Sequence, residues 1–106
     1  MDDVLSLVLI KKEQNSVGDF VGTAEYKRDV YGSIQSVSRA EWYNAGRAGY
    51  NPEIVFVTPI INYCGESEAE LHGVRYAVYR TYLQQDTDEI ELYLERKAGV
   101  QGRAVL

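Results

Sequence analysis

A chain of 106 residues with 45% apolar and 25% charged side chains has the make-up of one ordinary domain, residues 1–106, with no compositional break between two cores. Sixteen acidic against eleven basic side chains give a net charge of −5, which argues against a protein whose main task is gripping phosphate backbones. The single cysteine, Cys64, excludes an internal disulfide, residues 7–10 are too short an apolar run to cross a bilayer, and the opening residues carry no leader pattern, so a soluble chain in a reducing cytoplasm is expected.

In chain order, residues 4–11 are rich in Val, Leu and Ile between charges and predict a first strand. Asn15, Gly18 and Gly22 punctuate the polar stretch that follows, which reads as a mobile loop over residues 14–23 before Val30, Ile34 and Val37 resume an apolar beat in a second strand. Ser38-Arg39-Ala40-Glu41 fits a capping box: the Ser38 oxygen can accept from the Glu41 amide while the Glu41 carboxylate reaches back to the Ser38 amide. A helix of about two to three turns should start there, with Gly46 and Gly49 as left-handed termini and Pro52 preventing continuation. So short a helix must pack on a sheet, and Trp42, spaced with Ala45, is its expected anchor.

The run EIVFVTPII after Pro52 predicts a third strand, with Pro59 hinting at an edge or a bulge. EAEL and VRYAVYRTYL flank His72-Gly73, a two-residue connection of the sort that closes a tight hairpin. Alternation on the second arm puts Tyr76, Val78, Arg80 and Tyr82 on one face and Ala77, Tyr79 and Leu83 on the other. EIELYLERK then sets Ile90, Leu92 and Leu94 against Glu91, Tyr93 and Glu95, a half-buried strand. Residues 98–106 show no periodicity and read as a flexible tail. The predicted fold is mainly β: a small antiparallel barrel or sandwich of about six strands with one short α-helix inserted midway.

Chemistry finds little support. One His and one Cys make no metal set; His72 reads as a turn residue before Gly73, and Cys64 as a small apolar residue beside a turn with no adjacent base. No nucleotide, metalloprotease or hydrolase motif occurs, so neither catalysis nor a cofactor is expected. Glu66, Glu68 and Glu70, two apart, should share one strand face and repel, which reads as a solvated face or guarded edge, or as an acidic surface that meets basic residues of another subunit. Asp86, Asp88, Glu89 and Glu91 form a second acidic patch with the same two readings. Nine tyrosines, three of them beside Arg75 and Arg80, have two readings: they fill a thin barrel core and reach water with their hydroxyls, or, being more than one small core needs, they serve an interface, where Tyr and Arg are favoured.

SVSRAEWYNAGRAGYNPEIVFV and the later YCGESEAELHGVRYAVYRTYLQQDTDEIELYLERKAGV are similar in order and spacing to bacteriophage head-tail joining proteins, also called head-closure or stopper proteins and including related head-tail adaptors. The resemblance covers about residues 30–100. It implies a small β-barrel with a helical insertion that assembles as a ring, commonly twelvefold, beneath portal and adaptor in the virion. It also implies assembly in the bacterial cytoplasm, closure of the DNA exit channel after packaging, and a docking surface for tail proteins, with DNA passing through unread and no membrane involved. On this reading Trp42, Tyr43, Arg47, Tyr50, Tyr79, Arg80 and Tyr82 belong to the subunit interface, and Gly18, Asp19, Phe20 and Gly22 to a channel-facing loop. The competing class is a stand-alone barrel that binds a peptide or single-stranded nucleic acid.

Overall fold

Period-two alternation builds the wall of this molecule. The computed structural model describes residues 3–14 and 20–97. Six antiparallel strands close into one barrel: β1 (Asp3–Gln14), β2 (Phe20–Gln35), β3 (Pro52–Pro59), β4 (Glu68–Leu71), β5 (Val74–Leu83) and β6 (Glu89–Arg96), in the order β1-β2-β3-β6-β5-β4. The one α-helix among the described residues, α1 (Arg39–Arg47), sits between β2 and β3. The mainly-β barrel with a midway helix expected from sequence is the observed fold, and the predicted tail, residues 98–106, lies outside the described residues.

Inward-facing residues of all six strands form one core. Leu5 and Leu7, Val30, Phe56, Ala69 and Leu71, Tyr76, and Ile90, Leu92 and Leu94 pack together, with Phe56 fully buried among them. The alternation predicted for β6 holds along its whole length. Each such Leu, Ile or Phe contributes about 1.5–3 kcal/mol relative to an exposed one. Closure places β2 against β3 over only three rungs, Ser33↔Val57, Ile34↔Phe56 and Gln35↔Val55. Gly32 stands at the branch point, where a Cβ would lie 2.2 Å from the Val57 carbonyl oxygen and 2.7 Å from the Phe56 ring. Beyond it the Thr58 hydroxyl donates to the Tyr31 carbonyl at 2.7 Å, so that oxygen is satisfied after the ladder ends.

The His72-Gly73 hairpin forms as read: Leu71 pairs with Val74, and both turn residues have positive φ, 51° and 80°. Pro59 is neither at an open edge nor in a bulge. It is the last residue of β3 and leads into a 3-10 turn, Ile60–Asn62.

The first two strands are longer than predicted. β1 keeps β4 only over Ser6, Leu7 and Val8, whereas the β1/β2 ladder runs on through Leu9↔Tyr26 to Gln14↔Phe20. A two-stranded ribbon therefore continues past the barrel. The polar stretch expected to be loop is strand from Phe20 onward, held by backbone pairing with β1, a ladder that an apolar beat in the sequence does not announce. Of the residues assigned to the channel loop, Gly18 and Asp19 lie outside the described residues. Phe20 opens β2, and Gly22, at φ 140°, pairs with Glu13 beside a register shift.

The alternating glutamates do not form one self-repelling strand face: Glu66 precedes β4, and Glu70 is part-exposed. Glu66 and Glu68 are buried, and each of the three is matched by cations within the chain. Arg28 reaches Glu66 at 2.6 Å, Arg75 and Lys97 reach Glu68 at 2.8 and 2.7 Å, and Lys27 reaches Glu70 at 3.0 Å. The partners come from β2, β5 and the end of β6: the β4/β5 hairpin supplies Arg75, whereas the β1/β4 pairing that closes the barrel brings in Lys27 and Arg28. Burial pushes the Glu66 and Glu68 carboxyls up, but the hydrogen bonds from the Cys64 amide and Arg28, and from Lys97 and Arg75, outweigh it and leave both below the usual carboxylate range.

Candidate subunit interface

The helix begins as its cap predicts: the Ser38 hydroxyl oxygen accepts from the Glu41 amide at 3.0 Å. The reciprocal half of the box does not form. The Glu41 carboxylate instead leaves the helix and accepts from the Tyr79 hydroxyl at 2.7 Å and from Arg80 Nε and a terminal Arg80 nitrogen at 3.1 and 2.5 Å. Gly46 lies within the helix, and the left-handed residue is Gly49, at φ 96°.

Two consecutive residues can meet one carboxylate because β5 is bulged. Val78 pairs with Leu94 and Arg80 with Tyr93, so Tyr79 is the extra residue and the simple alternation predicted for this strand breaks there. Tyr50, just past α1, stacks on Tyr79 at 4.8 Å with ring planes 18° apart. Tyr79 meets Tyr93 edge-on at 6.2 Å, and the Arg80 guanidinium lies 4.0 Å above the Tyr93 ring. The hydrogen bond from Arg80 holds the Glu41 carboxyl below its ordinary range, against the opposing effect of burial. Burial, then the hydrogen bond to Glu41, pushes the Tyr79 phenol up, and burial with the hydrogen bond to Glu91 pushes Tyr93 up to about 12.

This cluster, and not Trp42, fastens the helix. Ala45 is the buried residue of α1, and a partly open cavity of about 210 Å³ remains beneath the helix between Ala45, Ala48, Tyr50 and Tyr79. Trp42 and Tyr43 are 60% and 58% exposed, so the expected indole anchor faces solvent. The reason is the tether: the spacing allowed Trp42 and Ala45 to share a stripe, but the bonds of Glu41 to Tyr79 and Arg80 turn the small residue inward. Arg39, Trp42, Tyr43 and Arg47 follow one another at helical spacings of three, one and four, and all four are exposed. The Arg47 guanidinium sits 5.7 Å from the Tyr43 ring centre.

The structure thus divides the residues named from sequence. Trp42, Tyr43 and Arg47 share the outer face of α1, whereas Tyr50, Tyr79 and Arg80 stand behind the helix and hold it. Tyr82 lies apart, 47% exposed near the end of β5 opposite Glu91. Sequence reading missed Glu41 as the fastening group, although an acid at the third helical position offered one signal.

A second exposed apolar surface was not anticipated. Ile61 is 86% exposed and Leu83 57%, and with Ile60 they lie at one end of the barrel, where Leu83 pairs with Ile90 and Pro59 with Glu89, at the far end of β3 from α1. Asp86 and Asp88 lie in the adjoining turn and are exposed. Cys64 is exposed, and among the described residues no group of three His, Cys, Asp or Glu side chains could hold a metal ion. No helix among them is long and apolar enough to cross a membrane. No protein-family model matches the chain, and no curated protein matches it.

Proposed function

We propose that this chain is a structural subunit of the connector between head and tail of a bacteriophage. Copies of it form a ring, twelvefold by analogy with the proteins it resembles. The ring closes the DNA exit after packaging, seats against portal or adaptor, and offers a surface to which tail proteins dock; DNA passes through it without being read. The barrel with a helix between β2 and β3 supports this reading, since that is the architecture the resemblance implies.

The observation that carries the proposal is the outward aromatic face of α1. Trp42 and Tyr43 lie open on a helix that is braced from behind by Glu41, Tyr79 and Arg80. Large aromatics held on a rigid mount bind a partner with little ordering cost. The test is native mass spectrometry and negative-stain microscopy of the purified chain at rising concentration, with and without a portal complex. Closed rings, or rings that form on the portal, support the connector; a particle that stays monomeric in both settings overturns it.

One feature favours a second reading. Arg39 and Arg47 flank Trp42 and Tyr43, the pairing of cation and ring that stacks single-stranded nucleic acid. A monomer that binds an oligonucleotide with a steep salt dependence would identify a stand-alone module instead.

A further inference from the structure

Two exposed surfaces of this chain are complementary. The first is the outer face of α1, where Arg39 and Arg47 bracket Trp42 and Tyr43, and neither arginine has an ion-pair partner among the described residues. The second is the end of the barrel where β3 stops and β6 begins. At that end Ile60, Ile61 and Leu83 lie exposed, and so do Asp86 and Asp88 of the β5–β6 turn, which also have no ion-pair partner among the described residues. One surface is aromatic and cationic, the other aliphatic and anionic.

We infer that the α1 face of one copy docks on the Ile60, Ile61 and Leu83 surface of the next, with Arg39 and Arg47 set against Asp86 and Asp88. This rests on the ring reading above and names the contact that builds the ring.

Three observations support it beyond exposure. The receiving surface is preformed: the Ile60 amide donates to the Asp88 carbonyl at 2.7 Å, the Gln84 amide to the Glu89 carbonyl at 3.0 Å, and the Thr87 hydroxyl to Gln84 at 2.8 Å. A turn ordered in this way loses little entropy on binding. The presenting surface is preformed as well, through the Glu41 tether. Finally, the two lie at opposite ends of β3, whose eight residues span about 23 Å at about 3.3 Å per residue, so the contact is head-to-tail. Head-to-tail contacts propagate, and close into a ring when the rotation permits. Pairing either surface with itself would set arginine against arginine or aspartate against aspartate, which disfavours like-on-like contacts across a two-fold axis.

The experiment is a charge exchange. One variant carries Arg39→Glu with Arg47→Glu, the other Asp86→Lys with Asp88→Lys, and circular dichroism melting checks that each remains folded. By native mass spectrometry, each variant alone should self-associate at least about tenfold more weakly than the parent chain. An equal mixture should recover assembly, because each altered surface then meets a matching one and the copies alternate. The interface is overturned if the parent chain forms rings that either variant forms equally well, or if the folded variants fail to complement one another. Either result leaves the ring itself standing. A parent chain that remains monomeric at every concentration, with and without a portal complex, overturns both the interface and the ring.

Discussion

Glu41 and Arg80, 39 residues apart in the chain, are joined by two hydrogen bonds of 2.5 and 3.1 Å that tie the first turn of α1 to the bulge of β5. Sharing that carboxylate with the Tyr79 hydroxyl makes Glu41 the main polar link between the helix and the barrel. The outer face of α1 is consequently presented in one orientation.

Replacing Glu41 by Gln removes the charge and keeps the shape. Since 43% of the Arg80 side chain is exposed, solvent screening reduces the value of the pair, and a loss of about 1 kcal/mol is expected. The effect should be local: hydrogen exchange of the α1 amides should quicken about fivefold while the core strands are unchanged. Uniform acceleration in all strands would contradict the tether.

Gly32→Ala places a methyl group against the Val57 carbonyl and the Phe56 ring, neither of which can retreat without moving the core. Overpacking of this kind should cost about 3 kcal/mol, read as a lower urea midpoint with an unchanged slope. An unaltered midpoint would mean that β2 and β3 separate more easily than their ladder indicates.

His72 is the non-glycine residue with positive φ among the described residues. His72→Asn suits the turn and should raise stability by up to about 0.5 kcal/mol, whereas the β-branched His72→Val should lower it by about 1–2 kcal/mol. Thermal melts of the two variants should shift in opposite directions.

Acid should loosen the chain through its paired carboxylates. Glu41, Glu66, Glu68 and Glu70 all sit below the ordinary value of 4.5 when folded, so their contribution is fully present above 4.5 and is lost as pH falls through the folded values. Stability from urea melts should be flat on the neutral side of that window and fall below about 4.5, and Glu66→Gln should make the fall shallower. A decline that begins well above 4.5 would point to some other group.

Much of the barrel was legible. Ile90, Leu92 and Leu94 announced β6 by alternation, Ser38 announced the helix start, and His72-Gly73 announced the tight turn, because each signal lies within a few residues of the structure it specifies. The outer face of α1 was legible in part. Trp42, Tyr43 and Arg47 were named and share one face, yet the indole was expected to point inward, and Tyr79 and Arg80 proved to brace the helix from behind. The ribbon of β1 and β2 was hidden because its residues carry no apolar rhythm.

Local chemistry set the helix start, the tight turn and β6, since period, cap and turn signals act over one or two turns of chain, but it did not show how far β1 and β2 extend. The folded barrel was needed to make Glu41 answer to β5 and not to its own cap, and to match Glu66, Glu68 and Glu70 with cations of β2, β5 and the end of β6. It also decided that Ala45 and not Trp42 turns inward. Those choices depend on which strands closure sets side by side, and a charged side chain takes whichever partner the closed barrel brings within about 3 Å.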